Sequence, residues 1–352
     1  MTDRVAILAH GKFPDSAKTA VGILRYGDRE VVGVLDRDRP ADRVREVLPD
    51  VQDAPIHPDM DSLLADVGEG GVDQLIVGIA PIGGGFDDSW RPDVRAALAA
   101  GCDVVAGLHY FLAEDEEFAR LADEHGCELH DVRRPPEDLT VSEGVAGDVD
   151  AEVVLTVGTD CSVGKMTASQ ELVRTARDRG YDAAMVPTGQ TGIMIEGWGV
   201  AVDRVVSDFT AGAVERMVLD AAEEHDYLVV EGQGAIVHPA YSAVTLGILH
   251  GAMPDSLVLC HAAGREAVHG YEEFPLPDPG EYVDLYESVA APVRETTVAA
   301  GALNTSGIDD GEAAREAVAA FGDAIDAPAA DPVRFGADEP SGTGDVVEAV
   351  FP

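Results

Sequence analysis

The chain has 352 residues, 46% of them hydrophobic, which is enough for two domains with their own cores and excludes a disordered acidic tail. Its 66 acidic residues against 24 Lys and Arg give a net charge of −42, which disfavours binding to the phosphate backbone of a nucleic acid. The acidic residues are spread along the whole chain, as expected of a protein that stays soluble in molar salt, where a Debye length of about 3 Å screens self-repulsion. A binding surface for a basic partner is the alternative.

Short β-branched runs alternate with helical patterns in the first part of the chain. This alternation predicts a mostly parallel sheet with helices on both faces, and we interpret residues 1–145 as a Rossmann-like domain. The predicted strands are Val5–Leu8, Glu30–Leu35, Gln74–Ile79 and Asp103–Gly107, with helices over Asp93–Ala100 and Asp115–Glu124. No Gly-x-Gly-x-x-Gly follows the first strand, so dinucleotide binding is only weakly supported.

A polar stretch leads into a second alternating series, which predicts a P-loop NTPase-like, doubly wound α/β domain over residues 146–352. The predicted strands are Val153–Val157, Ala183–Pro187, Arg204–Val206, Tyr227–Val230, Ser256–Cys260 and Thr296–Ala300. A long helix is predicted over Gly311–Ile325.

The strongest motif stands between the first strand of this second domain and a helix predicted over Ala168–Arg179. A glycine turn followed by Gly-Lys and a hydroxyl at a helix N-terminus is the arrangement of phosphate-binding loops. The spacing departs from the standard pattern, since five residues separate the two glycines and Met166 precedes Thr167. The variant resembles the Gly-Thr-Asp loops of dethiobiotin-synthetase-like P-loop enzymes. The candidate cosubstrate-binding residues are Gly158, Thr159, Ser162, Gly164, Lys165, Met166 and Thr167.

Two later strand ends support a site at this edge of the sheet. Glu231 ends an apolar strand, where P-loop folds hold a metal ligand, although a helix-capping role is the alternative. Gln190 lies in a glycine-rich turn after another strand, and we add it to the cosubstrate-binding residues. Thr167 suits either a magnesium ion or a phosphate oxygen, so the sequence leaves the use of magnesium open.

Histidines follow several predicted strands, among them His238 and His261. Because ligands bind at the carboxyl ends of parallel strands, these two histidines and Glu231 are the candidate catalytic residues. A hydrogen-bonded structural histidine is the alternative for each. Cys161, inside the loop, is a weaker candidate for an acyl-accepting nucleophile.

Lysine is scarce, since only Lys12, Lys18 and Lys165 accompany 21 arginines. The three remaining lysines are therefore candidates for roles that require a compact ammonium group, chance retention being the alternative. Lys12 and Lys18 suit an anionic substrate.

The motifs together resemble a family with a Rossmann-like N-terminal and a P-loop C-terminal domain, long catalogued as a domain of unknown function. Some of its members are DgcN-type D-glutamate N-acetyltransferases of marine bacteria and halophilic archaea. The resemblance is based on Gly11-Lys12-Phe13, Ala17-Lys18-Thr19, Gly107-Leu108-His109, Asp131-Val132-Arg133, Gly158–Thr167, Glu231–Gly234, Asn304-Thr305 and Asp331–Arg334.

The resemblance implies an enzyme that transfers acetyl from acetyl-CoA to D-glutamate, with the loop holding the phosphates of coenzyme A. The two carboxylates of D-glutamate then need cations, and Lys12, Lys18, Arg25 and Arg265 are the candidates. The rival interpretations are an ATP-dependent ligase or kinase acting on a small carboxylate or amino acid, and a non-catalytic nucleotide-binding regulator.

The sequence also bears on the cellular setting. No apolar run reaches the roughly 20 residues of a membrane helix, and the N-terminus does not resemble a signal peptide. The four cysteines form no Cys-x-x-Cys pair, so we expect no zinc site. We expect a cytoplasmic homo-oligomer that acts on small molecules, without a nucleic-acid or membrane partner.

Overall fold

The computed structural model describes residues 3–38, 42–68, 70–81 and 83–351. They form two compact units. The first contains the chain up to Pro135 together with Gln190–Arg204, and the second contains Pro136–Gly189 and Val205 onwards.

The first unit is built on a six-stranded parallel sheet. Its strands are β1 (Arg4–Leu8), β2 (Glu30–Leu35), β3 (Ile56–His57), β4 (Gln74–Val77), β5 (Asp103–Ala106) and β6 (Leu129–Asp131). Its helices are α1 (Lys18–Tyr26), α2 (Val44–Val47), α3 (Met60–Val67), α4 (Arg91–Ala99) and α5 (Glu116–His125). The strand order β3-β2-β1-β4-β5-β6 is the order typical of Rossmann folds, so the predicted class of this part is confirmed.

Residues Gln190–Arg204 leave the second unit and complete the first one. They begin with helix α7 (Gln190–Glu196), whose Met194 joins the buried core of the first unit. The hydroxyls of Thr191 and Thr19 on α1 are 2.8 Å apart, and Arg29 donates to the Met194 carbonyl oxygen at 2.8 Å. The boundary predicted at residue 145 does not anticipate this return of the chain.

The strand predicted over Arg204–Val206 is wrong. The chain instead forms short 3₁₀ turns at Val202–Arg204 and Ser207–Phe209. The physical reason is that side-chain contacts, and not pairing with a neighbouring strand, hold this segment. Asp203 binds Arg133, and the Arg204 guanidinium lies over the Phe111 ring.

The second unit contains another six-stranded parallel sheet. Its strands are β7 (Glu152–Gly158), β8 (Ala183–Val186), β9 (Tyr227–Val230), β10 (Ser256–Ala262), β13 (Thr297–Asn304) and β14 (Ala329–Ala330), with a separate hairpin of β11 (Ala267–Val268) and β12 (Tyr271–Pro275). Its helices are α6 (Lys165–Asp178), α8 (Thr210–Ala222), α9 (Ser242–Ala252), α10 (Pro279–Ala290), α11 (Gly311–Ile325) and α12 (Gly344–Val350).

The strand order β14-β13-β10-β7-β9-β8 places β7 in the middle of the second sheet. The chain leaves β7 towards β9 and β8 on one side and later returns to β10 on the other. Such a reversal of direction opens a crevice at the carboxyl ends of the central strands, where ligands bind in doubly wound folds. Within the described residues, no helix is both long and apolar enough to cross a membrane.

Candidate phosphate-binding site

The loop between β7 and α6 has the backbone shape of an anion cradle. Ser162 and Gly164 adopt positive φ angles of 55° and 109°, which turn successive peptide groups inward. A side chain at Gly158 would meet the Lys165 ammonium at 2.8 Å, and one at Gly232 would lie 1.7 Å from the Thr156 carbonyl oxygen. Only glycine therefore fits at position 232, whereas a side chain at position 158 would push the Lys165 ammonium out of its place.

The N-terminus of α6 presents unused amide donors to the loop. The first backbone hydrogen bond of the helix runs from Ala168 N–H to the Gly164 oxygen at 2.8 Å, and no side chain among the described residues caps this end. The amides of Lys165, Met166 and Thr167 therefore have no acceptor within the helix. Together with the positive end of the helix dipole they form a binding site for a phosphate or another anion.

Lys165 is the buried cation of this cradle. Its ammonium donates to the Asp160 carbonyl oxygen at 2.8 Å, which aims the side chain back across the loop. Burial lowers the pKa of Lys165, and the nearby Asp160 and Glu231 carboxylates oppose that shift. A bound phosphate would act in the same direction as these carboxylates and favour the charged lysine.

The Asp160 side chain holds the loop in its conformation, a role that the sequence analysis did not predict. Its carboxylate is fully buried and accepts from Arg265 at 2.7 Å and from the backbone N–H groups of His269 and Cys161 at 2.8 and 2.7 Å. The observed contact of Arg265 is therefore with the loop, while its predicted contact with the substrate stays a prediction.

Two fully buried tyrosines on α10 hold the start of the loop. The Tyr286 hydroxyl donates to the Gly158 oxygen at 2.7 Å, and the Tyr282 hydroxyl donates to the Thr159 oxygen at 2.7 Å. Burial raises the pKa of both hydroxyls, so they remain protonated donors. Their spacing of four residues is also that of an ordinary buried helix face, so this role could not be predicted from the sequence.

Glu231 lies at the end of β9, beside the loop. One of its carboxylate oxygens accepts from the backbone N–H groups of Thr188 and Gly189 at 3.2 and 3.0 Å, and the Thr188 hydroxyl donates to the Glu231 carbonyl oxygen at 2.6 Å. Gln233 donates from its amide to the Thr188 carbonyl oxygen. Glu231 thus ties the turn after β8 to the end of β9 and faces the charge of Lys165.

The two candidate catalytic histidines both lie near the loop but differ in their hydrogen bonds. His238 accepts from the Ala240 backbone N–H at its Nδ1 atom (3.1 Å), so the neutral ring carries its proton on Nε2. His261 has its Nδ1 atom 2.8 Å from the Thr159 hydroxyl. Burial lowers the pKa of both rings, which keeps them neutral at pH 7.

His238 also forms a cluster with Asp160 and Cys161, in which the side-chain ligand atoms lie within 4.8 Å of one another. Three such atoms at that spacing are a possible metal site. The hydrogen bonding disfavours it, because a proton on Nε2 leaves no lone pair there and the Asp160 carboxylate is engaged by Arg265.

The remaining predicted residues belong to the first unit. Lys12 and Lys18 are exposed, and Arg25 is half-buried on α1. Gln190 is buried at the start of α7, where a side chain at Gly107 would meet it at 2.8 Å. The roles of these four residues in binding stay predictions.

The fold and the loop together define a two-domain α/β protein with a P-loop. The chain belongs to the DUF1611 family: a Rossmann-like N-terminal family model matches residues 37–135, and the P-loop model, a domain of unknown function, matches residues 140–339. The predicted family and fold class are confirmed.

Relatives of known name and structure agree with this placement. The chain is 36% identical over 269 residues to a D-glutamate N-acetyltransferase of Pseudoalteromonas sp, covering 76% of this chain and 80% of the relative. It is 35% identical over 268 residues to one of Tritonibacter scottomollicae, covering 76% and 79%. A crystal structure of a DUF1611 family protein from Anabaena variabilis is 38% identical, covers 99% of both chains and superposes with a TM-score of 0.90.

Proposed function

We propose that this protein is an N-acetyltransferase that moves the acetyl group of acetyl-CoA to the amino group of D-glutamate. The observation that supports it most is the phosphate cradle around Lys165, in a chain whose curated relatives share that activity in their names. Coenzyme A carries a pyrophosphate and a 3′-phosphate, so it offers the anion for which this loop is shaped.

The chemistry requires a deprotonated amine next to the thioester carbonyl, and therefore a group that accepts the proton of the ammonium. A histidine whose pKa is lowered by burial is neutral at pH 7 and can take this role. His261 is the better candidate in the tautomer in which Nδ1 donates to the Thr159 hydroxyl, because its Nε2 lone pair is then available, whereas Nε2 of the neutral His238 carries the proton. Glu231 then serves to position the turn at Thr188 and to balance the charge of Lys165.

The amino acid brings two carboxylates into a chain with a net charge of −42. Binding them requires local positive charge, for which Lys12, Lys18 and Arg25 are the candidates. An ATP-dependent ligase or kinase remains the rival, because the same loop would bind a nucleotide triphosphate and Thr167 would suit its magnesium ion.

The test is release of the coenzyme A thiol, followed with a colorimetric thiol reagent in high KCl. We expect release that depends on D-glutamate and is much slower with L-glutamate, without hydrolysis of ATP. Amino-acid-stimulated ATP hydrolysis without thiol release would support the ligase instead. A His261→Asn variant that keeps the wild-type rate and pH profile would remove the role given to that histidine.

A further inference from the structure

Three strand ends of the first unit converge on one loop cluster that the P-loop chemistry does not use. The backbone N–H of His109, after β5, donates to the Gly84 oxygen at 2.9 Å, after β4. Gly84 has a φ of 62°, and a side chain there would lie 2.3 Å from the His109 ring. Arg133, after β6, donates from Nε to the Gly107 oxygen at 2.7 Å. The cluster lies at the carboxyl edge of the sheet, where doubly wound folds bind ligands.

Residues of the returning segment Gln190–Arg204 complete this cluster. The Asp203 carboxylate binds the buried Arg133 guanidinium and lies 3.9 Å from Nε2 of His109. The guanidinium carbon of the exposed Arg204 lies 5.1 Å from the centre of the Phe111 ring. The Phe111 ring thus lies within cation–π distance of the Arg204 guanidinium, and the Arg204 side chain stays exposed to solvent.

The charges of this cluster do not balance. Within the described ranges, no carboxylate lies at ion-pair distance from Arg204, and Asp203 is the acidic partner of Arg133. Burial, and next the neighbouring Arg204, lower the pKa of Arg133 to about 10. Burial, Arg133 and Arg204 also lower the pKa of His109. In a chain with 66 acidic and 24 basic residues, Arg204 is thus an exposed cation without a carboxylate of its own, next to the buried Arg133–Asp203 pair, and this setting attracts an anion.

We propose that Arg204, Arg133 and His109 form a binding site for a carboxylate of the amino-acid substrate. Arg204 supplies the planar pair of N–H donors that matches a carboxylate, and Arg133 and His109 supply the positive and hydrogen-bonding surroundings. The proposal rests on the proposed function, since D-glutamate is the dicarboxylic ligand that this function requires.

The experiment compares Arg204→Gln with Arg134→Gln in the thiol-release assay. Arg134 is the matched control, because its guanidinium carbon also lies over Phe111, at 4.5 Å, but its charge is paired with Glu114. We expect Arg204→Gln to raise the apparent KM for D-glutamate roughly 10- to 100-fold, the range for a lost charge-assisted hydrogen bond, with the KM for acetyl-CoA unchanged. The Arg134 variant is expected to stay within about threefold of wild type. Equal effects of the two variants, or no effect of Arg204→Gln, would overturn the proposal.

Titration calorimetry measures binding to this site without turnover, so it tests the carboxylate site independently of the acetyltransferase activity. Glutarate, a dicarboxylate without an amino group, is titrated into the full chain and into Arg204→Gln, with inorganic phosphate as a second probe. Glutarate binding that is lost in the variant supports the site even if no thiol release is found. Binding of phosphate alone, or of neither anion, overturns the carboxylate site, whatever the outcome of the thiol assay.

Discussion

Arg265 donates to Asp160 at 2.7 Å, and this ion pair joins the loop after β10 to the middle of the phosphate-binding loop. The Asp160 carboxylate is fully buried, whereas about a quarter of the Arg265 side chain is exposed. Because Asp160 also accepts two backbone N–H groups, its position fixes the carbonyl oxygen that receives the Lys165 ammonium. The pair therefore couples the stability of the second unit to the shape of the anion cradle.

Arg265→Ala is expected to lower the free energy of unfolding by about 3 kcal/mol, because it leaves a buried carboxylate without its cation. Denaturant unfolding in high KCl measures the change. Arg216→Ala, which removes an exposed pair with Asp138 in the same unit, is the control and should cost less than about 1 kcal/mol. If the two variants lose equal stability, Arg265 does not anchor the loop.

Lys165→Ala is expected to raise the apparent KM for acetyl-CoA roughly 10- to 100-fold, since the phosphate loses a charge-assisted hydrogen bond. The KM for D-glutamate should change much less. Steady-state kinetics with each substrate varied in turn measure both. Lys12→Ala is the converse variant, which should raise the KM for D-glutamate and leave the KM for acetyl-CoA unchanged. Equal increases in the two KM values would contradict the role of Lys165 at the phosphate.

Tyr286→Phe removes the hydroxyl that donates to the Gly158 oxygen and accepts from the Ile236 N–H at 3.1 Å. Two buried backbone groups then lose a partner, so we expect a loss of about 1–3 kcal/mol in unfolding free energy. The exposed Tyr241 offers a control, whose change to Phe should leave stability within about 0.5 kcal/mol. Equal stabilities of both variants would show that the α10 hydroxyl does not support the loop.

The lowered pKa of His238 makes the free energy of unfolding depend on pH. Below the usual histidine pKa of about 6.5, the unfolded chain takes up a proton that the folded chain resists, so folding weakens as the pH falls. The contribution is complete above about pH 6.5 and is lost as the pH falls through the lowered pKa. The stability difference between wild type and His238→Gln should therefore shrink between pH 7.5 and 5. A difference that stays constant over this range would refute the buried neutral ring.

Much of the fold could be predicted because its elements are long or strongly patterned. Glu30–Leu35, Tyr227–Val230 and Gly311–Ile325 have the predicted ends. The two-residue strands Ile56–His57 and Ala329–Ala330 could not be found, since they are too short to show a period. The predicted strand at Arg204–Val206 failed because contacts with Arg133 and Phe111, far away in sequence, determine that segment.

In the candidate site too, residues with a local sequence pattern could be predicted, and residues brought together only by the fold could not. The places of the glycines, Lys165 and Glu231 could be predicted because their patterns are local: a turn, a helix N-terminus and the end of an apolar strand. Their roles in binding and catalysis stay predictions. Asp160 and its partner Arg265 lie 105 residues apart, and one aspartate among so many acidic residues carries no signal. The tyrosines of α10 lie still further from the loop, so pairing them with it required the fold.

Because residues Gln190–Arg204 belong to the first unit, the core of that unit is completed late during synthesis of the chain. Domains tend to fold as they leave the ribosome, the N-terminal one first. Here the first sheet is fully synthesised at Asp131, but α7, which covers part of its core, is translated only after β7, the phosphate-binding loop and β8. A fragment that stops at Pro135 therefore lacks part of its own hydrophobic core, and the first unit can complete that core only once α7 has been synthesised.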